Sequence, residues 1–148
     1  MAIRNSIKHM RSRKYRVQAF DHFYTPKGRL SDPCVYCGVV SDTMDHVPPL
    51  VYVQKCRDIL EEISHANKYP ACSECNSALG SQLLMTLGDR RAYIADLLER
   101  KYKKLLRIPL WAEDELEEVS AEMRRDILAH LHHQAWVKAR IAWAKGRR

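Results

Sequence analysis

The sequence predicts an α+β fold, mostly helical: a small cysteine-braced core with helical extensions on its N- and C-terminal sides. Three observations carry this. Strand-prone segments are few and short, apolar residues recur at helical spacing through the second half, and two C-x-x-C pairs bracket the middle. A chain of 148 residues suits one domain with extensions. The expected divisions are a basic N-terminal arm or helix over 1–30, a braced core over 31–85 and a helical extension over 86–148.

The elements follow in order. Ile3, Ile7, Met10 and Val17 stand at roughly helical spacing among basic residues, which predicts a basic helix or an arm. Pro26-Lys27-Gly28 and Ser31-Asp32-Pro33 are turn signals before the first cysteine pair. Val39-Val40 and Thr43–Val47 are β-prone, and Ser41-Asp42 between them predicts a tight hairpin that Pro48-Pro49 stops. A helix is expected over about 53–65, with Cys56 on its apolar face as a small buried hydrophobe. Asn76–Gly80 reads as a short helical start. Thr86 and Asp89 open the best helix, Leu87 to about Leu106, with Ile94, Leu97, Leu98, Tyr102, Leu105 and Leu106 on its apolar side and Pro109 beyond its end. An acidic run, Glu113–Glu118, predicts a short solvated helix. Ser120 then caps the last helix, which carries Ile127, Leu128, Leu131, Val137 and Ile141. His132-His133 reads as a solvated helical face, and Trp111, Trp136 and Trp143 as packing anchors.

No apolar stretch approaches the ~18 residues that a membrane span needs, and the N-terminus turns basic without the apolar core of a signal peptide. A soluble, cytoplasmic protein is the expectation. The formal charge of +7 is unevenly placed. Residues 1–30 carry +7, 31–75 carry −4, 76–110 carry +4, and 111–148 balance. A basic arm and a basic central helix flanking a mildly acidic segment suit a polyanionic partner, most simply nucleic acid. Charge cannot name the chemistry.

The cysteines say more. Cys34-Val35-Tyr36-Cys37 and Cys72-Ser73-Glu74-Cys75 are two knuckles in a chain without a secretion signal, where zinc is favoured over disulfides. Two residues between thiolates let both sulfurs reach one ion at ~2.3 Å, and two knuckles complete a tetrahedron. Such a closed site leaves no position for water, so Zn²⁺ held by Cys34, Cys37, Cys72 and Cys75 supports the fold rather than the chemistry.

Within this frame lie Asp45-His46-Val47-Pro48-Pro49, then Asn67 five residues before Cys72, then Asn76 directly after Cys75. In order and spacing these residues resemble the HNH (ββα-metal) endonuclease family, in the zinc-braced form similar to phage recombination endonucleases. The resemblance covers about residues 34–80. It implies a ββα-metal core and metal-dependent hydrolysis of DNA. It also implies His46 as general base, Asp45 and Asn76 as ligands of a catalytic Mg²⁺ or Mn²⁺, and Asn67 as the group orienting the His46 ring. A bacterial or phage-infected cytoplasm is the setting expected of the family.

The chemistry of the residues agrees with that assignment. Phosphodiester hydrolysis needs a base for water and a cation against developing charge. A neutral imidazole accepts a proton near neutrality, and Asp45 and Asn76 offer hard oxygens. One objection is geometric: neighbours on a regular strand point to opposite faces, so the strand must end or twist at Asp45-His46. Two departures from the family stand out. Leu79 occupies a position often basic in relatives, and the interval from His46 to Asn67 holds an apparent helix. The alternative from another class is a non-catalytic, zinc-braced nucleic-acid-binding module.

Overall fold

The computed structural model describes residues 12–55, 66–80 and 82–146. The Ile3–Met10 part of the basic arm, Cys56 and most of the helix expected over 53–65 lie outside the described residues. Helix α1, Arg13–Phe20, opens on Ser12, whose hydroxyl accepts from the Tyr15 amide, and a 3₁₀ turn, Asp21–Phe23, follows it. Strands β1 (Thr25–Pro26), β2 (Thr43–Val47) and β3 (Asn67–Ala71) form one sheet in the order β1-β3-β2. Helix α2 (Leu50–Lys55) follows β2, and α3 (Ser73–Leu79) follows β3. The second half is helical: α4 (Leu87–Lys101), α5 (Lys103–Leu106), α6 (Glu113–Glu117) and α7 (Ala121–Ala144). The architecture is α+β and mostly helical. Among the described residues, no helix is long and apolar enough to cross a membrane.

The hairpin expected at Val39–Val47 does not form. Val40 makes only an isolated bridge to Pro33, while β2 pairs antiparallel with β3, Thr43 opposite Ala71 and Val47 opposite Asn67. The first knuckle occupies the stretch that the hairpin would need, with the Cys34 amide donating to the Val39 carbonyl and the Gly38 amide to that of Cys34. Pro70 lies in the middle strand of the sheet, where a missing N–H would ordinarily break the ladder. β1 reaches only Asn67 and Lys68, so at Pro70 the strand is already an edge and that donor is not needed.

The capping signals are realised. Thr86 accepts from the Asp89 amide and Ser120 from that of Met123. Between them, α4 and α7 bury Ile94, Leu98, Val137 and Ile141 against the four cysteines, Tyr36 and Leu79. Leu128, expected on the apolar side of α7, is exposed. Gly38 has φ +77°, and a Cβ there would meet the Trp143 ring at 2.8 Å, so the knuckle turn and the last helix fit only without a side chain. A second, smaller core joins Phe20, Tyr24, Leu50, Val53 and Ala66. Strand β2 runs between the two.

Candidate metal centre and cleft

The four sulfurs of Cys34, Cys37, Cys72 and Cys75 come within 4.8 Å of one another, and all four residues are buried. A Zn–S bond of ~2.3 Å sets tetrahedral sulfurs about 3.8 Å apart. Cys37 and Cys72 Sγ stand 3.6 Å apart, so the cluster has the size and chemistry to hold zinc. Hydrogen bonds from Cys37, Cys72 and Cys75 hold the Cys34 thiol far below its ordinary pKa, while contact with the other three drives Cys75 far up. A divalent cation removes that competition, because each ligand binds it as thiolate.

Four thiolates on one Zn²⁺ leave about −2 of charge in a buried place. Arg140 of α7, 2% exposed, answers it: its Nη2 lies 3.5 Å from Cys37 Sγ and 2.6 Å from Glu74 Oε2. The last helix is thereby tied to the cysteine cluster by charge as well as by packing.

β2 and β3 followed by α3 form a ββα unit, and the second knuckle lies at its strand-to-helix junction. The Cys72 sulfur accepts from the Cys75 amide at the start of α3, which fixes where Asn76 stands. Asp45, His46 and Asn76 line one cleft of about 220 Å³, together with Arg16, Ser77 and Gly80. The structure brings those three predicted residues together.

The two neighbours on β2 nonetheless look opposite ways, as alternation along a strand requires. Asp45 turns to the larger core. Arg90 of α4 grips it through two nitrogens, Nη2 to Oδ1 at 2.8 Å and Nε to Oδ2 at 2.9 Å, and the Tyr36 hydroxyl donates to Oδ2. Arg90 and Asp45 are 1% and 5% exposed, which makes this a buried bidentate pair. His46 turns to the smaller core. Its Nε2 lies 2.7 Å from Asp21 Oδ1, its ring packs edge-on to Tyr24 at 4.7 Å, and Asp21 Oδ2 accepts from Lys68 at 2.7 Å.

Burial lowers the His46 pKa from its ordinary value, against the upward pull of Asp21, so the ring is neutral at pH 7. Burial by itself would raise Asp21, but hydrogen bonds from Lys68 and His46 prevail and hold its carboxyl below the usual range. An ionised carboxylate only accepts, so Nε2 carries the proton and Nδ1 the lone pair. The ring contact thus comes from Asp21, on the turn after α1. Asn67, given the orienting role by the resemblance, sits on β3 opposite Val47. No motif could have pointed to Asp21, which precedes the first knuckle. Arg16 also enters from outside the motif. Leu79, at the position where the resemblance leads one to expect a basic residue, is fully buried in the larger core.

Asp45 and Asn76 both line the cleft and carry oxygens of the type that binds hard divalent ions, but the Asp45 carboxylate is turned from the cleft to Arg90 and Tyr36. The charge of Asp45 is already balanced by Arg90. Asn76 donates through Nδ2 to Thr43 Oγ1 at 2.9 Å and to the Met44 carbonyl at 3.3 Å, which anchors its amide against β2. No family model, curated protein or solved structure matches the chain.

Proposed function

We propose that the chain is a metal-dependent endonuclease of the HNH type, hydrolysing phosphodiester bonds in DNA with His46 as general base. One observation carries the reading: a buried, neutral histidine, oriented through Nε2 by an ionised carboxylate, lines a cleft with Asp45, Asn76 and an arginine on a cysteine-braced ββα unit. His46 Nδ1 takes the proton of the attacking water. Asp21 holds the ring in the tautomer that leaves Nδ1 basic and stabilises the imidazolium that forms. Arg16 supplies positive charge on the cleft wall for the phosphate. Asp45 and Asn76 would hold a Mg²⁺ or Mn²⁺ ion, whose chemistry when bound is to neutralise charge on the phosphate and the departing oxygen. Structural zinc on the four cysteines keeps Asn76 and β2 in register.

The test is nicking of supercoiled plasmid by zinc-loaded protein with added magnesium or manganese, beside His46→Ala. Removing a general base is expected to lower the rate about 10²–10⁴-fold while zinc content and folding persist. A wild-type rate in His46→Ala would remove His46 from the mechanism. A second reading, a non-catalytic zinc-braced nucleic-acid-binding module, is favoured by the Arg90 grip on Asp45. It takes over if the wild-type protein is inert on supercoiled, linear and branched DNA with either ion.

A further inference from the structure

Where α4 runs into α5, the chain carries Arg100, Lys101, Lys103, Lys104 and Arg107 within eight residues. Two of these cations are spent locally: Arg100 pairs with Asp96 at 2.7 Å, and Lys101 with Glu74 at 2.5 Å. Lys103, Lys104 and Arg107 are exposed and make no ion pair among the described residues. Lys103 and Lys104 instead line an open cleft of about 430 Å³ together with Tyr102 and His133.

Aromatic rings border these cations. Tyr102 and His133 meet edge to face at 5.7 Å, His133 and Trp136 lie 5.7 Å apart, and the Arg140 guanidinium stacks 4.5 Å from the Trp136 ring. Trp136, expected from the sequence to be a packing anchor, is 45% exposed. A large ring held at the surface by a buried arginine, beside unpaired lysines, is the combination that grips a nucleic-acid strand: cations follow the phosphates and rings stack on bases. Only unpaired or terminal bases offer a face to such a ring.

We propose that this surface, between the α4–α5 junction and α7, binds single-stranded nucleic acid, with phosphates on Lys103 and Lys104 and a base stacked at His133 and Trp136. It deepens the nucleic-acid reading of the cleft without depending on hydrolysis. The two places flank one helix: Glu74, which holds Lys101 and Arg140, and Asn76, which lines the cleft, are two positions apart on α3 and do not face the same way.

The experiment is fluorescence anisotropy of a labelled oligothymidylate of about 12 nucleotides, with the full, zinc-loaded chain and no added magnesium or manganese. Trp136→Ala is expected to weaken binding about tenfold while leaving the salt slope as it was. Lys103→Gln/Lys104→Gln is expected to flatten the log–log salt slope by about 1.4, two single-strand phosphate contacts. Both changes are at exposed positions, and unchanged zinc content and circular dichroism establish that the fold persists. Wild-type affinity in both variants would overturn the proposal. So would a duplex that binds as tightly as the oligothymidylate and is indifferent to Trp136. Displacement by polyglutamate as effective as by unlabelled oligothymidylate would assign the surface to an acidic peptide instead. Binding is read without cleavage, so loss of nicking in His46→Ala leaves this result untouched, and failure here leaves the cleft chemistry as it stands.

Discussion

Asp45 and His46 are neighbours on one strand, yet they belong to different halves of the molecule. Asp45 is sunk in the larger core, its charge balanced by Arg90 and its second oxygen also bonded to Tyr36. His46 faces the smaller core, where Asp21, 34% exposed at its side chain, is shared with Lys68. The first arrangement is closed: moving Asp45 or Arg90 strands the other's buried charge. The second is partly open and holds the ring through Nε2. A carboxylate buried against arginine is fixed by the cost of separating the pair, whereas an imidazole held by a partly exposed carboxylate is the arrangement that the proposed proton transfer would use.

The strongest way to break the comparison is to remove what holds the larger half together. Stripping zinc with a chelator, or replacing Cys72 by Ser, is expected to unfold the larger core, because structural zinc in small modules contributes on the order of 10 kcal/mol. Among the described residues the smaller core includes no cysteine, so the effect on it is expected to be indirect. Metal analysis gives the zinc stoichiometry, and thermal melting followed by circular dichroism gives the stability. An equally stable Cys72→Ser protein would remove zinc from the account of the fold.

The next effect separates structure from catalysis at Asp45. Asp45→Ala leaves Arg90 buried without its partner, which costs about 3–5 kcal/mol. Replacing both, Asp45→Ala/Arg90→Met, removes the stranded charge and is expected to recover much of that stability in urea unfolding. Nicking should stay lost in both variants if Asp45 also serves an ion in the cleft. Recovery of nicking along with stability would make Asp45 purely structural.

The same contrast explains what could be read in advance. The larger half was legible because its determinants are local: the C-x-x-C spacings, the hydroxyls of Thr86 and Ser120 at helix starts, and the helical recurrence of Ile94 and Leu98 in α4 and of Val137 and Ile141 in α7. The candidate site was legible only as far as its motif. Asp45, His46 and Asn76, grouped by the resemblance, line one cleft, but Asp21, Arg16 and Arg90 arrive from α1, its following turn and α4, and no periodicity connects them to β2. The β2–β3 pairing was hidden for a related reason. Local turn signals favoured Val39-Val40 as the partner, and Pro70 disguised the true strand, because a proline argues against a central strand until it is known that β1 stops short of it.

The smallest effect tests the open half. Asp21→Asn keeps the shape of the side chain but lets an amide N–H face the His46 ring, which favours the tautomer with its proton on Nδ1. The neutral ring then presents its lone pair to residue 21 rather than to water. Loss of such an orienting partner typically costs about 10–100-fold, and it should fall on kcat with KM little changed. The ring nitrogens report the cause directly: ¹⁵N shifts near pH 8 are expected to show Nε2–H in the wild type and a shift toward Nδ1–H in Asp21→Asn. Lys68 loses its ion pair in the same variant, so Lys68→Met is the control, removing that pair while keeping the Asp21–His46 contact. A Lys68→Met protein that nicks as fast as wild type, beside a slowed Asp21→Asn, assigns the effect to the ring. Equal losses in both would make Asp21 an anchor for Lys68, and the tautomer of His46 would then be set by burial against Tyr24 alone.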